Sequence, residues 1–513
     1  MLRKPWIPLA IVLVIAAETR FLGLGAQSLW FDEAFSVTLA KYSLTGIIGY
    51  LRGMHDTHPP LYYALLSGWI SVFGSGEFAT RSLSAVLGFL MVPFLYLFTR
   101  RIANRNIALA AAALLAGSAF AVHASQEDRM YVLLGFLALG SWSSLVAGAE
   151  GRKTVSWVLY VVTTALMLYT HYFGFLVLGS QVLYLAPRLW RERSILVPVL
   201  VAWGAVALLF SPWAPVLLTE VTSGRANPTF RPPANLDPIA TLLGLFGFGG
   251  ELFGAGGYFH VSALPAWEAL LLPAPFLGLI VAGAVGLGRA RAWLFLCYWA
   301  APISATVLIS QRFNIFYPRY FSFLAPPFAV LVAAGLDLVA RRLARVSRVR
   351  ELGQPAILAV LAIAVIAVNA PVVNGYVSEE QVKYDWRSAA ALVSAQAGPE
   401  DYLLFVPGFA ETPFDYYYKG SLGRYQLTPI EIYQMVRVKK RASGGINKAW
   451  ARRLAEEHPH VWIVATIPLP GSAFFRLRGL LGDSFLPGLA WDFNSVYVFQ
   501  LTSRVYQANA RKQ

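Results

Sequence analysis

Apolar runs long enough to cross a bilayer recur through residues 1–375, and they constrain this chain more than any other feature. They fall at roughly 6–25, 82–99, 106–123, 130–148, 155–170, 173–187, 195–218, 268–288, 293–310, 321–340 and 355–374. A helix rising ~1.5 Å per residue needs about 20 such residues to span a hydrocarbon core of ~30 Å. Within that core no water can bond the backbone, so each run has to satisfy its own amides by coiling. The expectation is a polytopic α-helical membrane protein with about eleven transmembrane helices. Composition agrees: 57% of residues are hydrophobic and only 13% charged, against about 25% charged in soluble proteins.

Lys and Arg in the short connections give the orientation. Arg3 and Lys4, Arg100, Arg101 and Arg105, Arg152 and Lys153, and Arg188, Arg191 and Arg193 lie in alternate loops. Arg289 and Arg291, then Arg341, Arg342, Arg345, Arg348 and Arg350, continue the alternation. The N-terminus is therefore expected in the cytoplasm. The first run contains Glu18 and Arg20 and lacks a clear small-x-small cleavage site, so it reads as a retained helix and not a cleaved signal. The remaining loops face outward: 26–81, the turn Ser125 to Arg129, His171-Tyr172, a Gly/Pro-rich loop near 219–267, and Gln311 to Tyr320. An odd number of spans also puts residues 376–513 outside.

Loop 26–81 is too long for a connector, and Ala34 to Tyr50 and Leu61 to Phe73 space their apolar residues as interfacial amphipathic helices would. After 375 the pattern changes. Asp385 to Gln396 and Ala451 to Glu457 read as helices; Tyr402 to Val406, Val461 to Thr466 and Ser495 to Leu501 read as strands. Two domains follow: a transmembrane domain over 1–375 and an extracytoplasmic α/β domain over 376–513. The net charge of +15 is explained by the membrane and needs no nucleic acid. Cys297 is the single cysteine and lies in an apolar run, so there is no disulfide framework and no cysteine metal site.

Polar residues at the expected outer ends of spans carry the chemistry. In Trp30-Phe31-Asp32-Glu33 the two acids follow the first span. Carboxylates at a membrane edge are costly and call for a reason. One could take a proton from an acceptor hydroxyl, and with a second acid could hold a divalent cation; a helix N-cap is the plainer explanation. His58 precedes Pro59 and Pro60, which fix the backbone; His58 and His55 could touch an acceptor or a phosphate. Glu127, Asp128 and Arg129 with Tyr131, and Arg319 with Tyr320, stand at the mouths of two other spans. A guanidinium's planar fork suits phosphate, so Arg129 and Arg319 together would make a clamp. His171 completes the set. The run Val436 to Arg441 reads as a basic surface strip. No phosphate loop or Gly-rich dinucleotide fingerprint occurs in any cytoplasmic segment, which argues against a cytoplasmic nucleotide-sugar enzyme and an ATP-driven pump.

Taken together, Trp30-Phe31-Asp32-Glu33, His58-Pro59-Pro60-Leu61-Tyr62-Tyr63, Gly74 to Arg81, Gln126 to Tyr131 and Pro318-Arg319-Tyr320 resemble a known family. It is the bacterial dolichyl-phosphate-mannose protein mannosyltransferase-like family, which includes the aminoarabinose lipid A transferases and has the GT-C fold. The resemblance implies transfer of a sugar from a polyprenyl-phosphate donor to an acceptor hydroxyl on the extracytoplasmic face, with inversion. It implies that Asp32 is the catalytic carboxylate, with Glu33 beside it, and that Asp128 or Glu127 is the second loop acid. It places His58, Asp128, Arg129, Tyr131, His171, Arg319 and Tyr320 around the substrate and its phosphate. His58 departs from the aminoarabinose transferases, which carry lysine there. Members of the wider fold differ in using a divalent metal; Asp32 and Asp128 are its candidate ligands here. Expected partners are the lipid-linked donor, membrane lipid, and a glycan, lipid or protein acceptor, with no nucleic acid. The expected location is a bacterial inner membrane. The competing reading is a flippase for a lipid-linked glycan; transporters place ionisable groups nearer the bilayer midplane, whereas these acids sit at span ends.

Overall fold

The computed structural model describes residues 6–53, 56–151, 153–223, 242–244, 246–247, 274–312, 315–346, 350–378, 383–428, 431, 447–466 and 477–511. His55, the basic run 436–441 and most of loop 219–267 lie outside the described residues. The chain divides into two compact units. One holds residues up to Leu24 and most of Leu39–Ser378; the other joins Gly25–Thr38 to the residues after 378.

In chain order the helices named here begin with α1 (Ile7–Phe21), α2 (Phe31–Ala40), α3 (Leu44–Arg52), α4 (Leu61–Phe73), α5 (Glu77–Ile102) and α6 (Arg105–Gly117). They continue with α7 (Ala119–Ser125), α8 (Tyr131–Gly151), α9 (Thr154–Leu168), α10 (Gly174–Arg191), α11 (Leu196–Phe210) and α12 (Ala214–Thr222). After these come α13 (Ala274–Leu287), α14 (Arg289–Ser310), α15 (Ala325–Leu343) and α16 (Gly353–Val377). A helix stands at every place where the sequence predicts a span. Among the described residues six are long and apolar enough to cross a membrane, or seven if the bent pair α6–α7 counts as one. The protein is a multi-pass helical membrane protein.

Three predicted helices are broken, each for a local reason. The run at 106–123 bends by 61° between α6 and α7, where Ser118 caps α7 by accepting from the Ala121 amide at 3.4 Å. The run at 195–218 breaks at Ser211–Trp213. Residues 34–50 form α2 and α3, with Ser43 capping α3 through the Gly46 amide at 3.2 Å.

A break within an apolar run strands carbonyls and amides, and this one is satisfied from two other helices. Arg20 of α1, fully buried, donates from its guanidinium to the carbonyls of Ala116 at 2.7 Å and Leu115 at 2.9 Å. Asn369 of α16 accepts from the Ala119 amide at 3.1 Å. Gln126, just past α7, donates to the carbonyls of Thr19 and Leu22 at 3.0 and 3.1 Å. Elsewhere α13 and α15 meet through Gly283 and Gly335. A β-carbon on Gly283 would lie 1.9 Å from the Leu331 carbonyl oxygen, and one on Gly335 2.1 Å from that of Leu279, the close backbone approach that small residues permit in membranes.

The second unit is built on a five-stranded sheet. Its strands are β1 (Tyr402–Val406), β2 (Gly423–Gln426), β3 (His460–Thr466), β4 (Phe485–Phe493) and β5 (Val496–Ser503), in the order β2-β1-β3-β5-β4. β1 runs parallel to β2 and β3, with Leu404 opposite Ile463; β5 runs antiparallel to β3 and β4. Helices α17 (Trp386–Gln396), α18 (Glu411–Tyr417), α19 (Lys448–Glu457) and α20 (Arg504–Ala510) complete it. Both sheet faces are covered, which explains the unbroken apolar reading of β1. Leu403 and Phe405 pack with Trp386, Ala389 and Val393 of α17, whereas Leu404 and Val406 pack with Ala451 and Leu454 of α19. The sequence predicts α17, α19, β1, β3 and β5; it misses β2, β4, α18 and α20. Gly25–Thr38 folds with this unit, where Leu29, Ala34 and Val37 form a small core against Tyr416.

Arg20→Leu removes the guanidinium from the Leu115 carbonyl and leaves Ala116 with the Thr19 hydroxyl at 3.2 Å, so it is expected to cost about 1–3 kcal/mol for the orphaned Leu115 group. Thermal unfolding of the detergent-solubilised protein, followed by circular dichroism at 222 nm, checks this through a lowered Tm.

Candidate functional site

The larger unit gathers its polar side chains where four chain segments meet. The segment before α4 is held because the Leu61 amide donates to the Tyr169 carbonyl at 3.0 Å, which sets His58 against the turn carrying His171. The 3-10 turn Pro318–Leu324 is tied to the start of α8, since Ser322 donates its hydroxyl to the Tyr131 carbonyl at 3.0 Å. The fourth segment is the turn 126–130, located by the Gln126 bonds described above.

Aromatic and imidazole rings line the meeting point. His58 and His171 have centroids 5.3 Å apart; Tyr320 lies 4.7 Å from His171 and 5.6 Å from Tyr131. The guanidiniums of Arg129 and Arg319 stand 5.9 and 5.7 Å from the Tyr131 ring centroid. Two cations from segments far apart in sequence thus converge on one ring, a favourable cation–π arrangement. His58, Arg129, Tyr131 and His171 are all buried.

One carboxylate at this place went unnoticed in the sequence. Asp56 bonds the His58 ring through Nδ1 at 3.0 Å and accepts from the Tyr63 hydroxyl at 2.5 Å and the Thr57 amide at 2.8 Å. Arg129 in turn donates to the Tyr63 hydroxyl at 3.4 Å. Burial alone would raise the Asp56 pKa, but His58, Arg129 and the Tyr63 bond outweigh it and hold the carboxyl well below the usual range. Asp56 is therefore a fixed negative charge that orients His58. The signal that could have revealed it is its position two residues before His58 and seven before Tyr63.

His171 is neutral. Burial first, then His58 and Arg129, push its pKa well below the ordinary value, against an opposing pull from Asp56. The Phe173 amide donates to its Nδ1 at 3.0 Å, which leaves the proton on Nε2 as a donor.

The acids before Arg129 turn elsewhere. Glu127 pairs with Nε2 of His123 at 3.2 Å. Asp128, fully buried, accepts from the Tyr62 hydroxyl at 2.8 Å, and that hydroxyl meets Ser84 at 3.0 Å. Among the described residues no three His, Cys, Asp or Glu side chains converge to hold a metal ion. The donor set around Asp128 is that of a buried hydrogen-bond network.

Glu220 of α12 is the second acid that sequence reasoning missed. It is buried and bonded to Tyr172, whose hydroxyl also accepts from the Trp213 indole at 3.2 Å. Burial, helped by Asp56 and opposed by the Tyr172 bond, pushes Glu220 up to about 7. Its position at the end of a long apolar run was the available signal.

Asp32 and Glu33 belong to the smaller unit, in the first turn of α2. Asp32 is half-buried, while Glu33 has no exposed surface. Glu33 accepts from the Trp30 amide at 3.2 Å and pairs with Lys383 at 3.4 Å. Of the two, Asp32 alone reaches the surface.

Comparison with known proteins bears on this arrangement. Residues 57–218 match the dolichyl-phosphate-mannose-protein mannosyltransferase family. ArnT from Cupriavidus metallidurans in the apo state is similar over 96% of this chain and 97% of its own, at 12% identity and a TM-score of 0.60. The same protein bound to undecaprenyl phosphate matches over the same shares at 15% identity and 0.56. The Archaeoglobus fulgidus oligosaccharyltransferase AglB, in complex with an inhibitory peptide and a dolichol-phosphate, matches over 96% of this chain and 74% of its own, at 14% and 0.55. No curated protein matches significantly. These likenesses show the fold, that of the polytopic GT-C membrane proteins with a C-terminal α/β domain. The family match spans residues 57–218, a segment that carries His58, Asp128, Arg129, Tyr131 and His171.

The raised Glu220 pKa has a thermodynamic consequence. A carboxyl whose folded pKa exceeds its unfolded value stabilises the fold below the unfolded pKa, and this is lost as pH rises through the folded one. Glu220→Gln should therefore leave Tm near that of the wild type at pH 5 and raise it relative to wild type at pH 8. Parallel melts at the two pH values read the difference.

Proposed function

We propose that this protein transfers a sugar from a polyprenyl-phosphate donor to an acceptor hydroxyl on the extracytoplasmic face of a bacterial inner membrane, with inversion. The observation that carries the reading is the convergence of Arg129 and Arg319 on Tyr131, beside the neutral His171 and at the edge of the apolar spans. Guanidiniums are suited to a phosphate monoanion or diester because each offers two parallel donors. The Nε2–H of His171 adds a neutral donor, and Asp56, held by His58 and Tyr63, limits the excess positive charge. Similarity to structures bound to undecaprenyl phosphate and dolichol-phosphate supports a lipid phosphate as the occupant. The basic cytoplasmic loops support an N-terminus inside and the α/β domain outside.

In this reading Asp32 is the base. The acceptor oxygen attacks the anomeric carbon as Asp32 takes its proton, and the bond from that carbon to the phosphate oxygen breaks with the electron pair leaving on the phosphate. Polyprenyl phosphate is already a low-pKa leaving group, so it needs charge stabilisation more than protonation; Arg129 and Arg319 supply it. His58, Tyr131 and Tyr320 shape the walls, and Asp128 fixes the turn that presents Arg129. The acceptor is a glycan, lipid or protein hydroxyl.

Purified protein incubated with a radiolabelled polyprenyl-phosphate sugar and crude envelope acceptors tests this directly, with label moving into the acceptor fraction. Asp32→Asn should abolish transfer while membrane insertion and Tm stay normal; near-normal transfer would remove Asp32 from the mechanism. Arg129→Ala should raise the apparent donor KM by about 10-fold or more, as expected for the loss of a charge-assisted contact.

A further inference from the structure

We propose that Lys383, far from the reacting atoms in sequence, is the positioning residue for Asp32. Its ammonium group neutralises the buried Glu33 carboxylate and thereby fixes the first turn of α2, on which Asp32 is carried. This rests on the reading of Asp32 as the base and deepens it by giving Glu33 and the start of the C-terminal segment a role in the same step.

Several independent contacts make the case, all within the smaller unit. Glu33 has no exposed surface, and a buried carboxylate is tolerated when it is paired and hydrogen-bonded. Its Oε2 receives the Lys383 ammonium at 3.4 Å and the Trp30 amide at 3.2 Å, so one oxygen links the C-terminal segment to the helix start. Lys383 is itself held: its amide donates to the Gln27 side-chain oxygen at 3.1 Å, and its carbonyl accepts from the Asn494 side chain at 2.7 Å. The ammonium thus starts from a backbone fixed on both sides.

A second set of bonds fastens the residues leading into α2. Ser28 donates its hydroxyl to Asp385 at 3.3 Å and accepts from the Arg387 amide at 3.1 Å. The Arg387 guanidinium reaches the carbonyls of Ala26 at 3.5 Å and Gly25 at 3.3 Å. The Leu29 amide donates to the Tyr417 hydroxyl at 2.7 Å, and Phe31 meets Phe409 edge-on at 5.2 Å. Asp385 also caps α17 through the Ser388 amide at 3.1 Å, so the fastening points are parts of the α/β fold. Asp32 and Glu33 are adjacent on α2 and point about 100° apart. Anchoring one therefore sets the direction of the other.

A misplacement of about 1 Å in a reacting group can cost on the order of 100-fold in rate. The test uses the full chain, with the radiolabelled polyprenyl-phosphate sugar and crude envelope acceptors as probe, and hydrogen exchange of residues 31–38 as a second readout. Lys383→Met should lower kcat by about 10- to 100-fold with donor KM little changed, and should speed exchange across α2 while the spans stay protected. Adding Glu33→Gln to Lys383→Met removes the stranded charge and should recover most of both losses; Lys383→Arg should keep both close to wild type. Unchanged kcat and unchanged α2 exchange in Lys383→Met would overturn the proposal. So would losses that Glu33→Gln fails to relieve. If the wild-type protein moves no label, the transferase reading falls, whereas the exchange result still decides whether Lys383 anchors α2.

Discussion

A peptide group inside hydrocarbon has to find its hydrogen-bond partner within the protein, and this structure depends on how that rule is met where a span breaks. The bend between α6 and α7 strands two carbonyls and an amide. Arg20 of α1 and Asn369 of α16 satisfy them. A buried arginine in an apolar helix would otherwise be costly; here the carbonyls it serves are the compensation. Because α7 is fixed at this angle, the turn after it is fixed too, and Gln126 ties that turn to the end of α1. The position of Arg129 follows from backbone satisfaction several residues away.

The turn itself distributes charge. Four consecutive side chains go to four destinations: Gln126 to the α1 carbonyls, Glu127 to His123, Asp128 to Tyr62, and Arg129 toward Tyr63 and Tyr131. Each acid is answered by a nearby donor, and Arg129 lies beside the Tyr131 ring that Arg319 also faces. The same economy applies to Asp56, which is held between an imidazole and a phenol.

Much of the fold could be read from the chain because its signals are local. An apolar run of sufficient length must be a helix in lipid, and every predicted span has one. In the C-terminal segment, β1 and β3 were legible since strands buried on both faces are continuously apolar. β4 was missed: it contains Pro487 and Gly488, and most of its side chains are exposed, so neither period nor propensity marks it. The break at 117–118 was hidden inside an unbroken apolar run, where hydropathy is blind to a cap supplied by Ser118.

Sequence alone determined the class of molecule, the residues with the right chemistry and their approximate places at span ends, since length, hydropathy and charge act within a few residues of one another. Tertiary structure decided which of those residues serve together. It turned Asp128 inward to Tyr62, brought Arg319 to the ring that Arg129 also faces, added Asp56 and Glu220, and separated half-buried Asp32 from buried Glu33. Those outcomes depend on contacts between distant segments, as between Glu33 and Lys383, 350 residues apart. No local pattern encodes them, because a side chain's partner is set by the packing of whole helices and sheets.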